Sequence, residues 1–220
     1  MNTTIQINNI KHPVSSTSWL EIENLQIETK QNILVNTRVN SGLSTFLKLI
    51  SGVIGPESGE ILIFGEDLRY CSEVNYEKIK RMISYSYQHG VMVSNLTIFE
   101  NLMLSLNFNM KELTNNERIQ YVNDFIRMYK ISQYLHKRPV ELGFMQRKIF
   151  GIIRSCIISP NVLVLDEPFQ NFEKRYTDIV ESLIERHIAN GNNIILGTSL
   201  TQHFDFINET IDFFPYVQRF

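Results

Sequence analysis

Apolar and polar positions alternate along this chain in two distinct rhythms. At Val162, Leu163, Val164 and Leu165 four branched apolar residues run together and end in Asp166-Glu167-Pro168. An unbroken apolar run this short predicts a strand covered on both faces, as in a parallel sheet. A second such strand is predicted at Ile33, Leu34 and Val35. It is followed by a polar loop over 36–45 and then an amphipathic helix carrying Phe46, Leu47, Leu49 and Ile50, which stops at Gly52. In the middle of the chain the rhythm becomes helical. Ile98-Phe99, Leu102-Met103 and Leu106 repeat at helical spacing, as do Ile119, Val122, Phe125-Ile126 and Tyr129, with Asn115 expected to cap the second helix. Pro56 and Ser58-Gly59 supply the turn chemistry before a further apolar stretch at 61–64. Strands at both ends with helices between them predict an α/β domain.

A strand, a tight loop and a helix opening with Ser44-Thr45 form the layout of a P-loop. In that pattern the first glycine falls on Thr37, the next on Asn40, the last on Gly42 and the lysine on Leu43. Gly42 and the metal-ligand hydroxyl, Ser44, are present. Asn40 substitutes tolerably, because Asn visits left-handed backbone more readily than other side chains. Leu43 does not substitute for a lysine: it carries no charge and donates nothing to a phosphate. Arg38 is a candidate surrogate cation, and Lys48, one turn beyond Ser44, is expected on the surface. In phosphoryl transfer, Asp166 would reach Mg²⁺ through its water shell and Glu167 would polarise the attacking water. The alternative reading of 162–168 is a core strand capped by a solvated acidic turn.

With these anchors aligned, the chain resembles the nucleotide-binding subunit of an ABC transporter over essentially its whole length. Residues 5–10 and 22–27 look like the first two strands of that family, and 56–65 like its turn and hairpin after the P-loop helix. Residues 85–88 resemble the strand leading to its Q-loop glutamine, Gln88, and Gln146-Arg147-Lys148 the helix after its signature sequence. A finer resemblance, over 88–101 and at Phe169, is to the ATPases of Mla- and Mce-type lipid transport systems. The family implies a P-loop NTPase fold, the RecA-like core of an ABC ATPase (1–88 and 157–220) with an inserted helical subdomain (89–156) bearing the signature. It also implies ATP held by Arg38, Asn40, Ser41, Gly42, Ser44 and Thr45, and Mg²⁺ held by Ser44, Gln88 and Asp166, with Glu167 and Gln88 catalytic. The implied partners are a second nucleotide-binding subunit, in a homodimer or heterodimer, and a membrane permease. The permease would dock beside the Q-loop, through Met92, Leu96 and Phe99.

Several departures from the family fall on catalytic positions. The signature is replaced by Glu141-Leu142-Gly143-Phe144-Met145, so that its hydroxyl position is Leu142 and its second glycine is Phe144. A large ring there obstructs a helix N-terminus otherwise suited to anions. The switch histidine falls on Ser199, the D-loop aspartate on Glu173 and the adenine-stacking aromatic on Val14. Removing one preorganised donor from an anionic transition state costs about 3–4 kcal/mol, or ~10²–10³ in rate. Such groups act as a unit and their losses do not sum. Two function classes follow. One is a structural or regulatory pseudo-ATPase subunit that binds ATP and Mg²⁺ weakly or not at all, and this class is favoured. The other is an active ATPase subunit with a divergent site.

Composition narrows the remaining classes. With 220 residues, 43% of them hydrophobic, the chain can bury one full core. A net charge of −2 offers no electrostatic case for nucleic acid. The five histidines form no cluster, so zinc is not expected, and Cys156, inside the apolar run 152–158, is expected to be a buried inert thiol. No apolar run approaches the ~18–20 residues a membrane span needs. The first residues lack a basic segment followed by an apolar core, so a cytoplasmic protein is expected.

Overall fold

A computed structural model describes residues 4–37, 41–213 and 217–219. Five parallel strands form one sheet in the order β5 (Ile83–Ser86), β6 (Val162–Asp166), β7 (Asn193–Thr198), β3 (Ile33–Asn36) and β8 (Glu209–Asp212). The second sheet is antiparallel. Its order is β4 (Ser58–Ile63), β1 (Thr4–Ser15), β2 (Ser18–Glu28) and β9 (Val217–Arg219). The helices are α1 (Leu43–Ile50), α2 (Glu73–Met82), α3 (Ile98–Asn109), α4 (Asn115–Met128), α5 (Phe144–Cys156) and α6 (Lys174–Ala189).

Strand β6 is buried at every position, and its alternation explains why. Val162 and Val164 face a core shared with α1 and the antiparallel sheet, where Phe46, Leu47, Leu49 and Ile50 pack against Ile5, Ile7 and Ile63. Leu163 and Leu165 face the opposite core, built from α3, α4, α5 and α6. A strand with helices on both faces has no polar side, so an unbroken apolar run is what it requires. The helical insert shares this second core with the sheet: Leu102, Val122 and Ile126 belong to the same cluster as Leu163, Ile194 and Leu196.

Helix starts follow local side-chain chemistry. Thr97 and Thr114 each accept from the backbone N–H three residues on, while Glu100 and Glu117 bond back to the cap, two complete capping boxes. The cap of α4 is therefore Thr114, and Asn115, expected as the cap, is its first helical residue. Threonine wins because its hydroxyl is paired with a glutamate three positions later, which Asn115 lacks.

Parallel pairing aligns the carboxyl ends of the central strands. Asp166 stands opposite Gly197, and Asn36 opposite Thr198. Loops leaving these ends gather at one edge of the sheet, where open α/β sheets bind ligands.

Candidate functional site

A cleft of about 230 Å³ opens at this edge, lined by Thr37, residues 41–45, Gln88, Glu167, Gln170 and Ser199. Among the described residues lining it there is no Lys, Arg or His. Thr37 is buried, donates its N–H to the Thr198 carbonyl at 3.1 Å and hydrogen-bonds the Ser41 hydroxyl through its own. Arg38 and Asn40, expected phosphate contacts, lie outside the described residues. Gly42 caps α1 in left-handed backbone (φ 80°) with no side-chain acceptor, and no acidic residue occupies the first turn of the helix. The amides there face the cleft with the positive end of the helix dipole behind them.

Leu43 lines the cleft where a P-loop lysine would act, yet it offers that space little surface. Its side chain is only 6% exposed and belongs to the core shared with Phe46, Leu47, Val35 and Ile195. Val14 lies directly over the loop, its methyls 3.0 and 3.1 Å from where a Gly42 Cβ would stand. The position expected to stack a base thus covers the glycine instead. Lys48, expected on the surface, is half-buried, with Nζ 6.0 Å from the centre of the Tyr87 ring. Its ammonium is also close enough to Asp166 to pull that carboxyl downward against the larger effect of burial.

The paired carboxylates have separate environments. Asp166 is 2% exposed; the Tyr85 hydroxyl donates to its Oδ2 at 2.6 Å, and the Ser44 hydroxyl nearby helps hold the carboxyl down. Burial pushes the Asp166 carboxyl above its ordinary range, and burial beside Asp166 pushes the Tyr85 phenol upward too. Oδ1 of Asp166 is buried without a partner among the described residues. Glu167 adopts φ 48°, donates its N–H to Gly197 and accepts at both carboxylate oxygens, from Thr198 Oγ1 at 2.9 Å and the Ser199 N–H at 2.8 Å. Gln88 donates to Gln170 Oε1 at 2.7 Å.

The donor set fits a hydrated divalent cation. An orphaned carboxylate oxygen beside a serine hydroxyl is the oxygen-only, partly aqueous environment that Mg²⁺ prefers. The fit to a nucleotide is partial: amides and hydroxyls of 41–45 suit phosphate, but the base platform is absent at Val14 and the described cleft lining supplies no cation.

Residues 141–145 do not line the cleft. Leu142 is buried in the helical core. Phe144 is 39% exposed at the start of α5, its ring 5.9 Å from that of His89. Beside the Q-loop, Met92, Leu96 and Phe99 are half-buried, and Met92 and Phe99 pack against the core; the exposed apolar side chains are Val91 and Val93. Val91 and Val93 are thus more exposed than the three expected docking anchors, two of which give part of their surface to the core.

Three residues of the site escaped the sequence reading. Lys148 is 1% exposed, donates to the carbonyls of Glu167 at 2.6 Å and Gln170 at 2.7 Å, and lies over the Phe172 ring. Desolvation lowers its pKa to about 8 against the opposing pull of Glu167 and Asp166. Its spacing from Ile152 and Ser155 on the buried stripe of α5 was a usable signal. Gln170 offered none. Asn101, fully buried, accepts from the Val93 N–H at 2.8 Å and donates to the carbonyls of Val93 and Thr97, pinning the chain after the Q-loop. Cys156 is buried and its thiol is pushed up to about 12, an unreactive sulfur as expected.

A parallel α/β sheet with a phosphate-type loop and paired carboxylates at its carboxyl edge defines a P-loop NTPase fold. The ABC transporter family model matches residues 20–170, and the chain belongs to that family. It is similar to the sulfate/thiosulfate import ATP-binding protein CysA of Mesostigma viride, at 28% identity over 78% of this chain and 47% of that protein. It is also similar to the spermidine/putrescine import ATP-binding protein PotA of Thermotoga maritima, at 31% identity over 61% of this chain and 34% of that one. The chain thus spans about half the length, or less, of these curated relatives. Among solved structures, a bacterial ABC transporter cassette determined as a dimer superposes with a TM-score of 0.81 at 18% identity, covering 98% of both chains. CbiO1 of Clostridium perfringens, part of the ABC transporter complex CbiONQ, superposes at 0.66 with 22% identity over 90% of this chain and 79% of that one. These two likenesses concern the fold. No helix among the described residues is long and apolar enough to cross a membrane.

Proposed function

We propose that this chain is a nucleotide-binding-domain subunit of an ABC transporter whose own phosphate site hydrolyses little or no ATP, so that it acts as a structural or regulatory subunit. The observation that carries this reading is the burial of Leu43: the position that should present an ammonium to phosphate is a core residue. Leu142 and Ser199 at two further catalytic positions support it. Ser41, Gly42, Ser44 and Thr45 would hold phosphate, with Arg38 and Asn40 beside them. Ser44, Asp166 and Gln88 would hold Mg²⁺, which when bound would shield phosphate charge. Glu167, with both oxygens already accepting from β7 and the residue after it, is restrained from reorienting towards water.

The subunit would work at the inner face of the cytoplasmic membrane, paired with an identical or a related nucleotide-binding subunit. Residues 1–88 and 157–220 would serve as the RecA-like core. Residues 89–156 would form the subdomain that receives the permease, through Val91 and Val93 with Met92, Leu96 and Phe99 behind them. Lipid cargo is the finer reading. Its support is the sequence of 88–101, since Phe169 is buried and stacked on Phe204 with ring centres 5.3 Å apart. The curated relatives named above are import proteins for sulfate and for polyamines by their names.

Hydrolysis decides between this reading and an active, divergent ATPase, which the retained Asp166 and Glu167 favour. Purified chain with Mg-ATP should release phosphate at background rate. Turnover that disappears in a folded Glu167→Gln protein would establish the active reading instead.

A further inference from the structure

Gly197 stands in the interior of β7, a costly place for a residue with no side chain to pack. Its backbone does not require glycine, because its φ lies outside the left-handed region. Space is what requires it. A Cβ at 197 would lie 2.9 and 3.3 Å from Leu43 Cδ1 and Cδ2 and 2.6 Å from Leu47 Cδ1. Glycine in a strand interior marks a close approach by something else, and here α1 makes that approach, Leu47 nearest and Leu43, its first residue, next.

We propose that Gly197 is the residue that directs the side chain at position 43 into the core rather than over the cleft. It provides a recess on β7 that takes the Leu43 side chain, and the two together anchor the phosphate-loop helix to the sheet with no nucleotide present. Position 43 opens α1 directly after the left-handed Gly42, so its side chain has two ways to go: over the cleft or down against the strand beneath. An apolar side chain gains by burial only along the second route. A side chain on residue 197 closes that route. The pair therefore does in the free protein what phosphate contacts do in a P-loop that depends on its ligand, holding α1 in place over β6 and β7. It follows that restoring a lysine at 43 is not sufficient to rebuild the loop, because the lysine stem would enter the same recess. The inference rests on the reading of 36–45 as a phosphate loop.

Thermal melts of the full chain as wild type, Leu43→Ala, Gly197→Ala and the double variant test the recess. Leu43→Ala leaves a void and Gly197→Ala crowds Leu43 and Leu47. In the double variant Leu47 can swing into the space vacated by Leu43, so its loss in Tm should be less than half the sum of the single losses. Additive losses would overturn the proposal. Mg-dependent binding of a fluorescent ATP analogue to Leu43→Lys and to Leu43→Lys/Gly197→Ala then separates it from the reading beneath it. The double variant should bind at least tenfold tighter than Leu43→Lys alone. Coupled melts with no nucleotide binding to either lysine variant would leave the recess standing and remove the phosphate-loop reading. Additive melts with equally tight binding to both lysine variants would do the reverse.

Discussion

The Thr198 hydroxyl donates to Glu167 Oε2 at 2.9 Å, and the amide of the next residue, Ser199, donates to the other oxygen at 2.8 Å. The end of β7 thus claims the carboxylate that a hydrolytic site would need free. Thr198→Val should remove the bond to Glu167 and the one that Thr198 Oγ1 accepts from the Leu200 N–H at 3.1 Å, and cost about 1–3 kcal/mol. At ~2–4 °C per kcal/mol for a domain this size, Tm should fall by several degrees, readable by calorimetry. An unchanged Tm would mean that the bond contributes nothing to holding Glu167.

Glu167→Gln should be destabilising for the same reason. A carboxylate accepts at both oxygens, whereas an amide turns one acceptor into a donor. Either the Ser199 N–H or the Thr198 hydroxyl then loses its partner, although the hydroxyl can rotate. Denaturant melts should show a loss of about 1–2 kcal/mol. Any hydrolysis comparison using this variant therefore has to be made on protein confirmed as folded.

Lys148 makes stability depend on alkaline pH. Its pKa falls from 10.5 in the unfolded chain to about 8 in the fold through desolvation, so between these values the unfolded state binds more protons. Stability then rises with pH across the window from about 8 to 10.5 and lacks that gain below it. The rise is order ~3 kcal/mol if the full shift is realised. The raised pKa of Tyr85 acts in the opposite direction above pH 10, because the unfolded phenol ionises first. Melts between pH 7 and 10 should show wild type gaining on Lys148→Met, and parallel pH profiles would rule out Lys148 as the source.

Asn101 holds the segment after the Q-loop from a fully buried position. Asn101→Ala should leave the Val93 N–H without its acceptor and cost about 1–3 kcal/mol, while the Thr97 carbonyl keeps its bond from the backbone N–H of residue 101. Hydrogen exchange gives the sharper reading: the Val93 amide should exchange much faster, while amides in β6 keep their protection. Uniform acceleration across both would point to global destabilisation alone.

Permease docking should depend on the exposed pair more cleanly than on the half-buried trio. Val91→Asp and Val93→Asp should each lower co-purification with the native permease tenfold or more and leave Tm within about 1 °C, since surface changes are within ±0.5 kcal/mol. Met92→Asp and Phe99→Asp should lower Tm as well, because they place a charge against the core. Capture unaffected by both valine variants would move the membrane contact elsewhere.

Local pattern alone sufficed for β3, β6, α1, α3 and α4. The unbroken run at 162–165 meant two-sided burial because any polar residue there would face a core. The helical repeats at 98–106 and 119–126 became α3 and α4 because their stripes must be covered. Strand, loop and Ser44-Thr45 placed the cleft, since parallel strands bring their carboxyl ends together whatever their sequence separation. Side-chain direction was different in kind. Leu43 could face the cleft or the core, and the choice lay with Gly197, a strand residue from the far end of the chain. Tyr85 meets Asp166 across 81 residues, and Asn193 meets Asn32 across 161, pairings that no window of neighbours contains. Lys148 read as a charged helix residue until its ammonium was found between the carbonyls of Glu167 and Gln170. A periodicity reports which face of an element is apolar; where a terminal or junction side chain goes depends on the space its neighbours leave, and that space exists only once the chain has folded.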